Sequence, residues 1–208
     1  SLVDETGQPM DQAVAMLRKS YRFREDSGIR AFAEAVNTNA LDNAMLRQIR
    51  EAEFDDVILL NSRSKSGDTE DTLDLVCRHA ITGSPEAFRN AGQGRQVNGQ
   101  SLPPPVGYRH YLERLQNHGL NENSPREDWD AMAVQLLEAF SDFQVLCALR
   151  KGPWGVEGLN DRIATQLLAE KLIPRAEGWY EGRPVLITGN DYNLGLMNGD
   201  IGIAVNVP

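Results

Sequence analysis

The sequence is poor in cysteine, and its two thiols, Cys77 and Cys147, sit 70 positions apart in apolar surroundings. That excludes a disulfide framework and a CxxC metal knuckle. Cys77 and His79 offer two ligand types, but no second pair accompanies them, so structural thiols and no metal are expected. Also missing is any apolar run of the ~18–20 residues that a membrane-spanning helix requires. The first residues, "SLVDETGQPMDQ", carry neither the basic nor the apolar segment of a signal peptide. A cytoplasmic protein without membrane contact is the expectation. No GxxxxGK[ST] phosphate loop occurs, since no glycine is followed by lysine. A GxGxxG fingerprint after a strand, a GxSxG elbow and an HExxH pair are absent as well. His79, His110 and His118 are scattered along the chain. Positive charge is short too: 21 Lys and Arg against 30 Asp and Glu leave a net charge of −9. This weighs against a freestanding module that grips phosphate backbone. Arg18, Lys19, Arg22 and Arg24, within seven residues, are a local exception.

What is present is an ordinary globular composition, 41% apolar and 25% charged in 208 residues, enough to bury a core. "MLRKSYRF" suits a strand and its exit loop. Ile29, Phe32, Ala33 and Val36 then recur at helical spacing behind the cap-like Asp26-Ser27, and Leu41, Met45, Ile49 and Ala52 form a second amphipathic helix. "DVILLN" (56–61) reads as a strand. From about 62 to 107 the pattern weakens to a polar loop containing one short helix, Leu73 to Ala80. Its last part, "NAGQGRQVNGQSLPPPVG", holds four glycines and three prolines. Asp68, Glu70, Asp71 and Asp74 match the acidic preference of a helix start better than a metal site.

Order returns in "YRHYLERL" and in Trp129, Met132, Ala133, Leu136 and Phe140, the buried face of a helix. "FQVLCAL" (143–149) reads as a strand covered on both sides. It leads through "RKGPWG" into a helix with Val156, Leu159, Ile163 and Leu167 on one side. The tail "GWYEGRPVLITGNDYNLGLMNGDIGIAVNVP" alternates β-rich runs with Gly, Asn and Asp turns, as in a meander or small barrel. In it, Asn198-Gly199 is a turn signal and Asp200 can bond its own turn backbone. Residues alone therefore give a soluble α/β domain with a β-rich tail.

Three blocks resemble the RecD family, the alpha subunit of exodeoxyribonuclease V, a superfamily 1 DNA helicase. They are "LRKSYRF..DSGI..FAEAVN" (Leu17 to Asn37), "FQVLCALRKGPWGVEGLNDRI" (Phe143 to Ile163) and "WYEGRPVLITGNDYNLGLMNGDIGIAV" (Trp179 to Val205). The resemblance implies an α/β, P-loop NTPase-like (RecA-like) second motor domain, incomplete, over residues 1–178. Residues 179–208 would then be the first strands of an SH3-like β-barrel. It also implies that the chain stops in a strand because the rest of the barrel, with the TVHKSQG and YTAVTRA motifs, is left off. In family terms Arg22 reaches the γ-phosphate of ATP held on the other motor domain, a task suited to an always-charged, bidentate guanidinium. The competing role for Arg22 is a surface arginine on a capping turn. Arg150, Lys151, Trp154 and Asn160 would lie along the path of single-stranded DNA, with Asn190 in a polar loop also facing DNA. For the loop the competing role is a plain βα turn with Trp154 packed as core. ATP and Mg²⁺ are implied for the full-length enzyme and not for this chain alone. RecB- and RecC-like subunits and DNA ends are the implied partners. The tail from Trp179 is expected to be poorly anchored, with a β edge that can pair with a second copy. Two alternatives stay open: a stand-alone RecD-like or relaxase-type helicase domain, and a non-catalytic DNA or protein interaction domain.

Overall fold

A computed structural model of the chain describes residues 27–51, 54–60, 69–97 and 100–207. It contains six α-helices among the described residues: α1 Gly28–Asn37, α2 Asn43–Arg50, α3 Thr69–Thr82, α4 Tyr108–Gln116, α5 Arg126–Ser141 and α6 Val156–Ala169. Strands are few and short. β1 (Gln96–Val97) pairs antiparallel with β2 (Gln100–Ser101), and β3 (Pro184–Leu186) with β4 (Ile201–Ile203). The stretch "MLRKSYRF" lies outside the described residues.

α1 begins where the sequence places it. Ser27 accepts from the Arg30 amide, while the Asp56 carboxylate accepts both from the Ser27 hydroxyl and, at 2.8 Å, from the Gly28 amide. Two capping groups thereby satisfy helix-start donors that would otherwise stay open. Gly28 is required there, because an added Cβ would lie 2.4 Å from Val57 Cγ1. The expected face of α1 is not uniformly covered: Ile29 and Val36 are exposed, and Ala35 is buried. α2 is capped by Asp42, which accepts from the amides of Ala44 and Met45, and buries Ile49.

The core is helical. α3 packs on α4 and α6, and α4 on α5. Leu73, Cys77, Ala80 and Ile81 of α3 meet Tyr111, Leu112 and Leu115 of α4, Leu136 and Phe140 of α5, and Leu159, Ile163 and Leu167 of α6. The region that reads as a polar loop with a short helix thus supplies a 14-residue helix whose inner face is among the most buried of the chain. Small residues set the spacing between α3 and α4. A Cβ on Gly107 would come within 2.5 Å of the Ala80 and Ile81 backbone, and Gly83, at φ +73°, abuts Val106. α6 ends in a Schellman turn: Lys171 sits at φ +60°, its amide bonds the Leu168 carbonyl, and the Leu172 amide bonds Leu167. Glycine usually occupies that left-handed position.

Two expected strands are not formed. Residues 56–60 and 143–149 have no ladder partner among the described residues. The second still alternates: Phe143, Val145 and Cys147 pack on the core, while Leu146 is 89% exposed. β-branched composition marks a segment as able to join a sheet, but a strand exists only when its backbone groups are paired.

The tail forms the β3–β4 hairpin with a bridge between Asp191 and Leu196 at its tip. Its foot is tied down, against the expectation of poor anchorage. The Tyr111 hydroxyl donates to the buried Gly182 carbonyl at 3.0 Å, the Gly182 amide bonds Ala204, and Ile203 and Val205 pack on the core. The turn chemistry reads true: Gly199 takes φ +98°, and the Asp200 carboxylate accepts from the Met197 amide at 2.7 Å. Beyond the foot the hairpin is exposed, with Leu186, Tyr192 and Leu194 on the surface.

Candidate functional site

The loop between residue 149 and α6 is built by its own backbone. The Leu149 and Arg150 carbonyls accept from the amides of Val156 and Glu157, and the Gly155 amide bonds Gly152. Loop carbonyls thus cap the first turn of α6. The glycines serve this fold-back rather than open space for a ligand: a Cβ on Gly155 would lie 2.5 Å from the Lys151 carbonyl oxygen, and one on Gly158 2.5 Å from that of Gly152. Arg150 and Lys151 are left exposed, and Trp154 is 36% exposed, so it is not a core residue. Arg150, Lys151 and Trp154 thus share one exposed loop.

Asn160 lies one turn further along α6 and opens onto a different feature. A cleft of about 300 Å³ runs between α4, α6 and the hairpin foot, lined by Tyr108, Tyr111, Asn160, Asp161, Tyr180 and Arg183 among others. The rings form one cluster: Tyr108 stacks on Phe140 with centroids 6.0 Å apart, and Tyr111 meets Phe140 edge-on at 5.1 Å. Arg183 lies over Tyr180 with Cζ 5.7 Å from the ring centre. Burial pushes the hydroxyls of Tyr108, Tyr111 and Tyr180 above the ordinary tyrosine range, so the rings are neutral at physiological pH.

Asn190 is separate from both. In the hairpin tip its amide donates to the Tyr192 hydroxyl at 3.1 Å and its carbonyl accepts from the Asn198 amide at 2.8 Å, so both ends hold the turn. Arg22 and its neighbours Arg18, Lys19 and Arg24 lie outside the described residues. The structure therefore groups Arg150, Lys151 and Trp154, sets Asn160 in the aromatic cleft and leaves Asn190 in the tip. The tyrosines and Arg183 are what sequence reasoning passed over; the i, i+3 pair Tyr108 and Tyr111 in "YRHYLERL" was the available signal.

Two histidines that look scattered share a second cleft of about 630 Å³ between α4 and α5, with Glu113, Arg114 and Asp128. His110 faces Asp142 at 3.9 Å, and the His118 ring packs on Trp129 while its Nδ1 accepts from the Leu120 amide. Among the described residues no group of three His, Cys, Asp or Glu could hold a metal ion, and both cysteines are free thiols. No helix among them is long and apolar enough to cross a membrane.

No family model matches the sequence. Among curated proteins the chain is similar to subunits of one multi-subunit enzyme, the RecBCD enzyme. The subunit is RecD in each of three relatives. That of Haemophilus influenzae is 27% identical over 203 residues, 97% of this chain and 28% of the relative. That of Mycolicibacterium smegmatis is 42% identical over 74 residues, 36% of this chain and 13% of the relative. That of Buchnera aphidicola from Acyrthosiphon pisum is 34% identical over 77 residues, 35% of this chain and 13% of the relative. The similarity to the Haemophilus protein runs over nearly the whole of this chain, which spans little more than a quarter of that protein's length.

Proposed function

We propose that this chain is part of the helicase motor of a RecD-type subunit, one that couples ATP hydrolysis to 5′-to-3′ unwinding of DNA ends in recombinational repair. The observation that carries the reading is similarity to RecD across 97% of the chain. In this reading residues 1–178 belong to a RecA-like second motor domain of the P-loop class and residues 179–208 open an SH3-like barrel. The exposed cations Arg150 and Lys151, with Trp154, Asn160 and Asn190, face the single strand. Arg22 completes an ATP and Mg²⁺ site whose phosphate loop lies on other residues of the whole protein. RecB- and RecC-like subunits are the partners, the compartment is the cytoplasm, and the hairpin edge is open to a second copy.

The chain by itself then has no means to position Mg²⁺ and phosphates for phosphoryl transfer. Calorimetry of the 208-residue chain with MgATP is expected to show no binding, and single-stranded DNA should elicit no turnover. Micromolar ATP affinity or DNA-stimulated hydrolysis would overturn the reading. A non-catalytic interaction domain predicts the same silence, but would leave turnover of a longer protein carrying this segment indifferent to Arg22.

A further inference from the structure

The aromatic cleft beside α6 combines features that the loop at 150–154 does not have. Its volume, about 300 Å³, lies at the lower end of the ~300–1,000 Å³ range of small-molecule sites, room for one ring system rather than an extended ligand. Its walls offer aromatic rings from α4, α5 and the segment before β3, with a guanidinium over Tyr180, surfaces on which flat heterocycles stack. The hydroxyls nearest the core are already committed: Tyr111 donates to Gly182, and Tyr108 accepts from the Val145 amide at 3.4 Å. At the rim, the Asn160 amide and the Asp161 carboxylate make no hydrogen bond among the described residues, and both are exposed. Apolar ring faces below and free polar groups at the edge are the arrangement that binds a flat molecule by its faces and reads it by its rim.

We propose that this cleft takes up a single nucleobase bearing an exocyclic amine, stacked against the half-buried rings of Tyr108 and Tyr180 above the enclosed Tyr111 and read at its edge by Asn160 and Asp161. The carboxylate sets the preference. An ionised carboxylate only accepts hydrogen bonds, so it suits the N4 amine of cytosine and repels the two carbonyls of thymine. The inference rests on the single-strand reading only for where the base comes from; the same chemistry fits a base within a strand or a free nucleotide.

Fluorescence anisotropy with labelled oligo(dC) and oligo(dT), and competition by free dCMP, test it on the intact chain. Oligo(dC) should bind about tenfold more tightly than oligo(dT), since one good edge contact discriminates by that order. Asp161→Asn should remove the preference, and Tyr180→Ala should weaken both about tenfold through lost stacking. Asp161→Asn and Asn160→Ala alter exposed positions, so they report on the cleft even if Tyr180→Ala disturbs the hairpin foot. Displacement of oligo(dC) by dCMP alone identifies a free nucleotide as occupant; displacement only by oligonucleotides identifies a strand. Equal affinities for the two oligonucleotides, unmoved by Asp161→Asn and Asn160→Ala, would refute the cleft. If binding were then lost in Arg150→Ala and Lys151→Ala, the single-strand reading would stand without it. Failure of every probe to bind refutes the cleft outright.

Discussion

Replacing Tyr111 by Phe removes one oxygen and nothing else, and the structure says what that oxygen does. The ring is 3% exposed and its hydroxyl donates to the carbonyl of Gly182 at 3.0 Å. Gly182 is buried too, and among the described residues that carbonyl has no other donor. The loss therefore includes the hydrogen bond and the burial of an orphaned acceptor, together about 2 kcal/mol. With a urea m-value of roughly 2 kcal/mol/M, the unfolding midpoint should fall by about 1 M at unchanged m. Tyr180→Phe is the control: its hydroxyl makes no hydrogen bond among the described residues, so its midpoint should move by less than ~0.3 M. Because the bond fixes the foot of the hairpin, faster amide exchange at Gly182 and Ala204 should accompany Tyr111→Phe. An unchanged midpoint, or an equal fall for both substitutions, would refute the claim that this hydroxyl anchors the tail.

Lys171→Gly should stabilise the chain by about 1 kcal/mol, measured by thermal unfolding, because it relieves the left-handed strain of the turn after α6. Gly107→Ala should destabilise it by about 1–3 kcal/mol in the same assay, since the new methyl meets the Ala80 and Ile81 backbone, which cannot swing aside. Raising pH should erode stability above about 10. The folded state holds the Tyr108, Tyr111 and Tyr180 protons above the pH at which the unfolded chain releases them, so stability is complete below that range and falls through it. For Tyr111, the most buried, the slope is about 1.4 kcal/mol per pH unit, and Tyr111→Phe should flatten it.

Much of the helical structure is legible because its signals are local. The Ser27 cap, the Leu159, Ile163 and Leu167 face and the Trp129 to Phe140 face all come out where periodicity puts them. α3 is less legible because its apolar positions follow "SRSKSGDTEDT", which lowers the local pattern even though Leu73, Cys77 and Ile81 are wholly enclosed. The strands at 56–60 and 143–149 show the opposite failure: composition announces them, but pairing depends on partners distant in sequence. The cleft is invisible in the sequence for the same reason, since its walls come from four segments, those of α4, α5, α6 and the hairpin foot. Nor does a sequence show that both ends of the Asn190 amide close a turn.

The motor role is tested most directly at Arg22. In a longer protein carrying this segment together with an ATP site, Arg22→Ala should leave single-stranded DNA affinity nearly unchanged and cut DNA-stimulated ATP turnover by about 10³-fold, the scale of a γ-phosphate arginine. Single-turnover hydrolysis with DNA saturating gives that number free of binding effects. A fall of less than about threefold, as for a solvated surface arginine, would contradict the assignment of this chain to the motor.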